Sequence, residues 1–191
     1  MDILKGKKLI LASASPRRQE LIKGLDIPFE TRILEIEESY PPDLSNEEIP
    51  EYLARLKASP FKKELTNNEV VITSDTVVLL KDQLLLKPKD KEEARLMLSN
   101  LSDRMHRVLT SICLTSNSKQ VCITDESKVY FKKLEKDEID YYVENYNPYD
   151  KAGGYGIQDW LGFIAIEKIE GSYYNIMGLP THRLYKILKQ F

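Results

Sequence analysis

The chain has 191 residues, of which 42% are hydrophobic and 30% are charged, the balance of an ordinary globular protein. This length suits one domain over residues 1–191 with a sizeable core, arranged as one body or as two lobes. Lysine and arginine number 28 against 30 aspartate and glutamate residues. Such a balance gives no overall field for nucleic acid or an anionic membrane, so we expect neither partner, and an anionic ligand must meet a local cluster.

The N-terminal sequence MDILKGKK lacks the apolar region and cleavage site of a signal peptide, and no apolar run approaches the length of a membrane span. We therefore expect a cytoplasmic protein. Cys113 and Cys122 are its two cysteines. They could be cross-strand neighbours, but in the absence of a secretory signal we expect free buried thiols.

The segment Lys8–Glu20 has the pattern of a buried strand, a turn of small residues and the start of a helix at Pro16. Ser15 is the expected N-cap. Arg17 and Arg18 would then lie in the first helical turn, where free backbone N–H groups and the helix dipole favour an anion. On these features alone, a phosphate or carboxylate site and an ordinary strand–helix turn with solvated arginines are about equally supported.

The next segments alternate between strand and helix patterns. Phe29–Leu34 is predicted as a strand, and Glu35, Glu37 and Glu38 follow it as either a solvated charge run or a source of one metal ligand. Ser45 and Glu48 have the spacing of a capping box, so the next helix is predicted to begin there. Lys57 lies near the end of this helix and taken alone would be a surface lysine.

The strongest strand pattern is VVITSDTVVLLK, which starts at Val70 and places Asp75 in its middle. A carboxylate within an apolar strand is costly unless it has a role, so we favour a functional Asp75 over one that is hydrogen-bonded at a bulge. Lys81–Gln83 is predicted as a hairpin turn that leads to a short return strand.

The remaining elements complete an α/β pattern with a mixed sheet, because both hairpins and strand–helix crossovers occur. Asp90 and Glu93 predict a second capping box. With two histidines and no ligand spacing for zinc, we expect no zinc site. The predicted elements are a helix from Asp90, a strand hairpin over Arg104–Thr115 and Val121–Lys132, a helix over Leu134–Tyr146, a glycine-rich loop over Asn147–Trp160, strands at Leu161–Ile166 and Tyr173–Met177, and a C-terminal helix.

Several common catalytic motifs are absent from the sequence: it has no phosphate-binding GxxxxGK[ST] loop, no GxGxxG motif and no GxSxG motif. Ser13 or Ser15 as a nucleophile would need a histidine partner that the sequence does not identify. What remains is a set of acids and bases near the ends of elements, which suits metal-assisted hydrolysis of a phosphate compound. These residues are Glu37, Asp75, Arg17, Lys57 and Lys87.

Motifs in the same order resemble those of the Maf family of nucleoside triphosphate pyrophosphatases over nearly the whole chain. The matching motifs are LASASPRRQEL, Glu37, LARLKA ending at Ala58, SDT at Ser74–Thr76, Lys87–Pro88, DKAGGYGIQ at Asp150–Gln158 and GSYYNIMGLP at Gly171–Pro180. Two positions depart from the family pattern. Leu86 replaces a glycine before Lys87, and Asp103 replaces the glycine of a Ser-Gly-Arg motif.

The resemblance implies an elongated, two-lobed α/β fold like that of inosine triphosphatases, with a mixed sheet and a central cleft. It implies hydrolysis of a nucleoside triphosphate to the monophosphate and pyrophosphate with a divalent cation, Mg²⁺ or Mn²⁺. With Gln158 after Tyr-Gly-Ile, the chain resembles the family branch that acts on dTTP and UTP. The family resemblance also suggests roles in nucleotide pool sanitation and cell division arrest. The family also suggests a homodimer. The alternative is a non-catalytic, nucleotide-binding regulator of septum formation.

The resemblance also suggests a role for each site residue. Asp75 would be the proton acceptor or a metal ligand, two roles that stay open, and Glu37 would be a second metal ligand. Gln158 and Thr76 would select the base, because a glutamine amide can pair with both the N3–H and the C4 carbonyl of uracil or thymine. Arg18 is expected to pair with a carboxylate or face solvent. The triphosphate clamp would consist of Ser13, Arg17, Lys57 and Lys87.

Overall fold

A computed structural model describes residues 3–191 and gives the alternation of strands and helices that the sequence predicts. The strands are β1 (Lys8–Leu11), β2 (Phe29–Thr31), β3 (Glu69–Leu80), β4 (Gln83–Leu85), β5 (Met105–Thr115), β6 (Gln120–Phe131) and β7 (Ile166–Glu170). The α-helices are α1 (Pro16–Lys23), α2 (Ile49–Ala58), α3 (Lys91–Leu101), α4 (Lys136–Tyr146), α5 (Trp160–Ala165), α6 (Tyr173–Ile176) and α7 (Thr181–Leu188). Short 3₁₀ segments lie at Pro60–Lys63, Pro148–Asp150 and Ala152–Gly154.

The strands form a seven-stranded sheet in the order β2-β1-β3-β5-β6-β7, with β4 paired to β3. β1 is parallel to both β2 and β3, whereas β4 is antiparallel to β3 and β7 is antiparallel to β6. The predicted α/β class with a mixed sheet is therefore confirmed.

The chain divides into two compact units. The first runs to Asp75 and adds Thr110–Asp125 and Gly178–Phe191, and the second consists of Thr76–Leu109 and Glu126–Met177. The strands β3, β5 and β6 each contribute residues to both units.

In the first unit, β1 is buried because its three apolar residues pair on both sides, and the sheet hydrogen bonds continue into the small-residue turn. Ala12 N–H donates to the carbonyl of Ile72 at 2.9 Å. Pro16 begins α1 as predicted, and Ser15 precedes it without a capping bond from its side chain. Instead, Ser15 N–H donates to Ser13 Oγ at 3.2 Å, which tightens the turn before the helix.

The second unit has its own apolar core, which α3 and α4 share with the sheet strands. Its fully buried residues include Leu98, Val129 and Tyr142. On the outer side of the helices, Arg95 Nε donates to Asp140 Oδ1 at 2.7 Å and joins the two helices. The predicted cap of α3 is confirmed, since Glu93 N–H donates to Asp90 Oδ1 at 2.9 Å.

One predicted helix start and two predicted strands are wrong. The helix predicted from Ser45 begins at Ile49, and Ser45 and Glu48 instead bond to each other in the preceding turn, at 2.6 Å from Ser45 Oγ to Glu48 Oε2. Leu161–Ile166 is mostly the helix α5, with the strand displaced to β7, and Tyr173–Ile176 is helical. Short apolar runs do not distinguish a strand from a buried helical turn.

Gly162 permits α5, the helix formed by this apolar run, to pack closely on the end of the glycine-rich loop. Its N–H donates to the carbonyl of Asp159 at 2.9 Å, and a Cβ at this position would lie 1.8 Å from the carbonyl oxygen of Ile157. The first turn of α5 therefore packs directly on the loop backbone, which only glycine permits at this distance.

The cysteine prediction is also wrong, because the structure joins Cys113 of β5 to Cys122 of β6 in a disulfide. The hairpin brings their Cα atoms to 4.1 Å, so the cross-strand alternative is the correct one. None of the helices within residues 3–191 combines the length and the apolar character that crossing a membrane requires.

Candidate active site

Lys57 and Asp75, two of the predicted site residues, form a close ion pair. Lys57 Nζ lies 2.6 Å from Asp75 Oδ1, and the two side chains are only 17% and 13% exposed. A charge-assisted bond of this length fixes both groups in one geometry. The lysine that looked like an ordinary surface residue in the sequence is therefore a partner of the buried-strand carboxylate.

The contact depends on how α2 packs against β3. The buried residues of α2 are Ile49, Pro50, Leu53, Ala54 and Ala58. Thr73 Oγ1 donates to the carbonyl of Ala54 at 2.6 Å, so α2 is also joined to β3 by a hydrogen bond. Because Lys57 follows Ala54 by three residues and Asp75 follows Thr73 by two, this bond sets the lysine beside the aspartate.

A second carboxylate meets the same ammonium group. Glu38 Oε2 lies 2.9 Å from Lys57 Nζ, and both Glu38 and Glu37, the predicted metal ligand, are exposed. Asp75 and Glu38 thus bring two carboxylates to one ammonium group, and one or two carboxylates are what Mg²⁺ usually takes besides phosphate oxygens. No group of three or more histidine, cysteine, aspartate or glutamate side chains suited to a metal occurs in residues 3–191.

The two arginines of the first turn of α1 occupy different environments. Arg18 is partly buried and donates from Nε to the carbonyl of Gly178 at 2.9 Å and from Nη1 to the carbonyl of Ser74 at 3.0 Å. Burial lowers the pKa of Arg18, and the charge of Asp75 opposes that shift. Arg17 and Ser13 lie before it on the same turn and are also partly buried. Arg18 of α1 thus holds the β3 backbone next to Asp75 through its bond to the carbonyl of Ser74.

The second unit contains the other three predicted residues, Thr76, Lys87 and Gln158. Thr76 is partly buried in β3, and Lys87 is exposed just after β4. The glycine-rich loop reaches the Lys87 segment, since Gly153 N–H donates to the carbonyl of Leu86 at 3.2 Å. Gly153 has φ of 72°, and a Cβ there would lie 3.1 Å from Val78, so the loop needs glycine for both conformation and space.

Gln158 lies in a tight turn at the end of this loop. Asp159 N–H donates to the carbonyl of Gly156 at 3.1 Å, and the Tyr142 hydroxyl accepts from Gly156 N–H at 3.0 Å and donates to Asp159 Oδ2 at 2.8 Å. Gln158 Oε1 is buried and has no hydrogen-bond partner among the described residues. Buried polar atoms normally have a partner, so this oxygen is available to a donor on a ligand.

Behind the loop, a buried pair joins it to the sheet. Tyr155 of the loop and His106 of β5 share a hydrogen bond of 2.7 Å between the hydroxyl and Nε2, and their rings pack edge to face. Burial lowers the pKa of His106 to about 3, so the ring is neutral at physiological pH. His106 therefore has a structural role in the loop.

The comparisons with known proteins agree with these motifs. Residues 8–191 match the family described as Maf-like protein. The chain belongs to the Maf family. The dTTP/UTP pyrophosphatase of Parabacteroides distasonis is 50% identical over 192 residues, with all of both chains covered. That of Flavobacterium johnsoniae is 51% identical over 185 residues, covering 97% of this chain and 95% of the relative.

The solved structure of the Staphylococcus aureus Ham1 protein resembles this Maf chain at a low level. It is 16% identical, with a TM-score of 0.47, and the match covers 65% of this chain and 72% of the Ham1 chain. A likeness at this level says nothing about activity.

Four side chains that contact the predicted site residues or the glycine-rich loop are not singled out by the sequence. Glu38 is one of three candidate glutamates, and Arg18 meets two main-chain carbonyls where the sequence favours a carboxylate or solvent. Tyr142 has the spacing of an apolar residue of α4, and no local pattern marks Asp159. Only the polar end of Tyr142, which needs a partner when buried, could have signalled its second role.

Proposed function

We propose that this Maf protein hydrolyses dTTP and UTP to the nucleoside monophosphate and pyrophosphate. The relatives that match nearly the full chain at about half identity are named dTTP/UTP pyrophosphatases. The contact of Lys57 with Asp75 carries the proposal, because it gives the strand carboxylate a fixed position beside a cation that a phosphate can also use.

In the proposed reaction a water molecule attacks the α-phosphorus, the bond from that phosphorus to the bridging oxygen breaks, and pyrophosphate leaves. Asp75 accepts the proton of the attacking water or holds the metal. Charge grows on the leaving pyrophosphate, so nearby cations stabilise the transition state more than the ground state. Ser13, Arg17, Lys57 and Lys87 are the donors we assign to the triphosphate.

The carboxylates near Lys57 suit a divalent cation, Mg²⁺ or Mn²⁺. Asp75 and the acidic segment that contains Glu37 and Glu38 would hold it, with phosphate oxygens completing its coordination. When bound, the ion neutralises phosphate charge and lowers the pKa of water. Lys57, which meets two of these carboxylates, keeps them close together before the ion binds.

Base choice is assigned to Gln158, with Thr76 as a second contributor. The buried Oε1 of Gln158 can accept the N3–H that uracil and thymine share.

We also expect the enzyme to be a cytoplasmic homodimer that removes excess or non-canonical nucleotides and influences cell division. Cell fractionation and sedimentation of the purified protein check the location and the dimer.

The test is pyrophosphate release from the eight common ribo- and deoxyribonucleoside triphosphates with Mg²⁺, on the wild type and on Asp75→Asn. We expect dTTP and UTP to be the best substrates and Asp75→Asn to reduce turnover by at least ~100-fold, the low end for loss of a general base. A regulator that only binds nucleotides would need the cations and not Asp75. Absence of pyrophosphate release by the wild type, or a near-wild-type rate in Asp75→Asn, would overturn the proposal.

A further inference from the structure

The turn that carries Gln158 is closed by one side chain in addition to its own backbone. Tyr142, whose side chain is fully buried on α4, bonds to Gly156 N–H at one end of the turn and to Asp159 Oδ2 at the other. The phenol ring is itself held by stacking on Tyr146, with ring centroids 5.1 Å apart. A rigid helix therefore fixes both residues between which Gln158 is placed.

The position of the Asp159 carboxylate bears directly on the amide of Gln158. A Cβ built at Gly156 would lie 2.5 Å from Asp159 Oδ2 and 3.0 Å from Gln158 Nε2, so both atoms lie on the same side of the turn. A carboxylate attracts the N–H groups of an amide and repels its carbonyl oxygen. Because Nε2 already lies on the Asp159 side, exchange of the two amide ends would turn the oxygen towards that carboxylate at an electrostatic cost.

This orientation leaves the amide oxygen as the group presented to a ligand. Gln158 Oε1 is buried and meets no hydrogen-bond donor within residues 3–191, so a donor on a ligand would satisfy it. The nearby cation Lys151 pairs with two carboxylates of the loop: its Nζ lies 2.7 Å from Asp150 Oδ1 and 3.6 Å from Asp159 Oδ2.

We propose that Tyr142 is a positioning residue for base selection, which acts by holding Asp159 so that Gln158 presents an acceptor and not a donor. This inference rests on the proposed function, because it concerns the base of the substrate. Uracil and thymine offer an N3–H donor to Oε1, whereas cytosine offers an N3 acceptor, which Oε1 repels. A glutamine that was free to turn over would accept both kinds of base.

The test is steady-state kinetics of Tyr142→Phe with UTP, dTTP and CTP. Removal of the hydroxyl should lower the ratio of kcat/KM for UTP to that for CTP by roughly 3- to 10-fold, the effect of one positioning hydrogen bond. The change should come mainly from a higher KM for UTP, with kcat for the three nucleotides changing in parallel and little. Tyr141→Phe, the same change on the exposed neighbouring residue of α4, is the control and should keep the wild-type ratio.

A double-mutant cycle separates positioning from general structural damage. If Tyr142 acts through Gln158, Tyr142→Phe should have no further effect on the UTP to CTP ratio in a Gln158→Ala background. A further drop of the ratio in that background would overturn the inference. If Tyr142→Phe does not fold, as judged by thermal denaturation, Asp159→Asn tests the same relay and should lower the ratio similarly.

The outcomes distinguish the two proposals. A wild-type enzyme that releases no pyrophosphate or does not prefer UTP to CTP contradicts the proposed function. A wild type that prefers UTP, together with Tyr142→Phe or Asp159→Asn variants that keep the full preference, contradicts only the role of Tyr142.

Discussion

Lys57 Nζ lies 2.6 Å from Asp75 Oδ1 although the two residues belong to different elements, the last turn of α2 and the middle of β3. The same ammonium is 2.9 Å from Glu38 Oε2. One cation thus neutralises two carboxylates before any substrate arrives. If a triphosphate binds there, the lysine can exchange a carboxylate partner for a phosphate oxygen.

This relationship predicts that Lys57→Met, which keeps most of the aliphatic stem, lowers kcat/KM for dTTP by on the order of 100-fold, since one preorganised charge is lost. Pyrophosphate-release kinetics measure the effect. Lys62→Met, at an exposed lysine of the following 3₁₀ segment, should behave as the wild type. Equal kinetics for Lys57→Met and Lys62→Met would remove Lys57 from the site.

Metal dependence tests the acidic segment. Glu37→Gln should raise the Mg²⁺ concentration for half-maximal activity by roughly tenfold or more, the scale on which loss of a supporting group weakens metal sites. Glu35→Gln, an exposed glutamate of the same segment, is the matched control. If Glu37→Gln leaves the Mg²⁺ requirement unchanged and Glu38→Gln raises it, the ligand is Glu38, which the structure places at Lys57.

Substitution of the two adjacent arginines of α1 should have different effects, on catalysis for Arg17 and on stability for Arg18. Arg17→Ala should lose on the order of 2–4 kcal/mol of transition-state stabilisation, seen as a lower kcat/KM with unchanged thermal stability. Arg18→Met should instead lower the free energy of unfolding by roughly 1–3 kcal/mol, because the carbonyls of Ser74 and Gly178 lose their hydrogen bonds from the guanidinium group. Urea denaturation measures the second effect. A stable Arg18→Met with intact kinetics, or an Arg17→Ala with wild-type kinetics, would contradict these assignments.

Gln158→Glu tests base recognition. It replaces the amide nitrogen with an oxygen on the side of the Asp159 carboxylate, and repulsion between the two carboxylates disturbs the position from which Oε1 accepts the N3–H of the base, so kcat/KM for UTP should fall by about tenfold. Gln83→Glu, at an exposed glutamine of β4, has the same charge change and should keep wild-type UTP kinetics. Wild-type UTP efficiency in Gln158→Glu, or GTP as the best substrate, would exclude base recognition by this residue.

His106 predicts a pH dependence of stability. Its pKa is lowered by burial from 6.5 to about 3, so the folded protein excludes a proton that the unfolded chain binds. The stability that depends on neutral His106 is complete above pH 6.5 and is lost progressively as the pH falls towards 3, by a few kcal/mol in total.

Urea denaturation between pH 7 and pH 4 measures this dependence. His106→Gln, whose amide can still bond to the Tyr155 hydroxyl, should show a smaller loss of unfolding free energy over that range. Because the carboxylates of the protein titrate in both variants, the difference between them isolates the histidine. Identical pH profiles would show that His106 does not resist protonation.

The sequence predicts the elements with long or well-marked patterns and fails where the decisive contact is distant. The strand that contains Asp75 and the cap of α3 are local features, and both are confirmed. Asp103, which replaces a family glycine, has φ of 56°, so the turn keeps the left-handed backbone that aspartate tolerates. The disulfide is not predicted, because the expected location favours free thiols, whereas the β5–β6 hairpin sets the distance between Cys113 and Cys122.

The candidate site shows the same division. Family motifs predict that Lys57 and Asp75 are site residues. Their contact depends on how α2 packs on β3, and neither motif indicates that packing. Tyr142 has the helical spacing of a core residue and is one. Its hydroxyl bonds to a loop 14 and 17 residues further on, and no local pattern indicates such a contact.

Gly162 limits how this enzyme could be redesigned. Any side chain there would meet the carbonyl of Ile157 at 1.8 Å, and at Gly156 a side chain would meet the carboxylate of Asp159 at 2.5 Å. A combinatorial library over residues 156–162 that is selected for a new nucleotide should therefore return glycine at both positions. Variation at these two positions would add nothing to such a library, so it is better directed to Gln158 and Tyr142, the residues proposed to select the base.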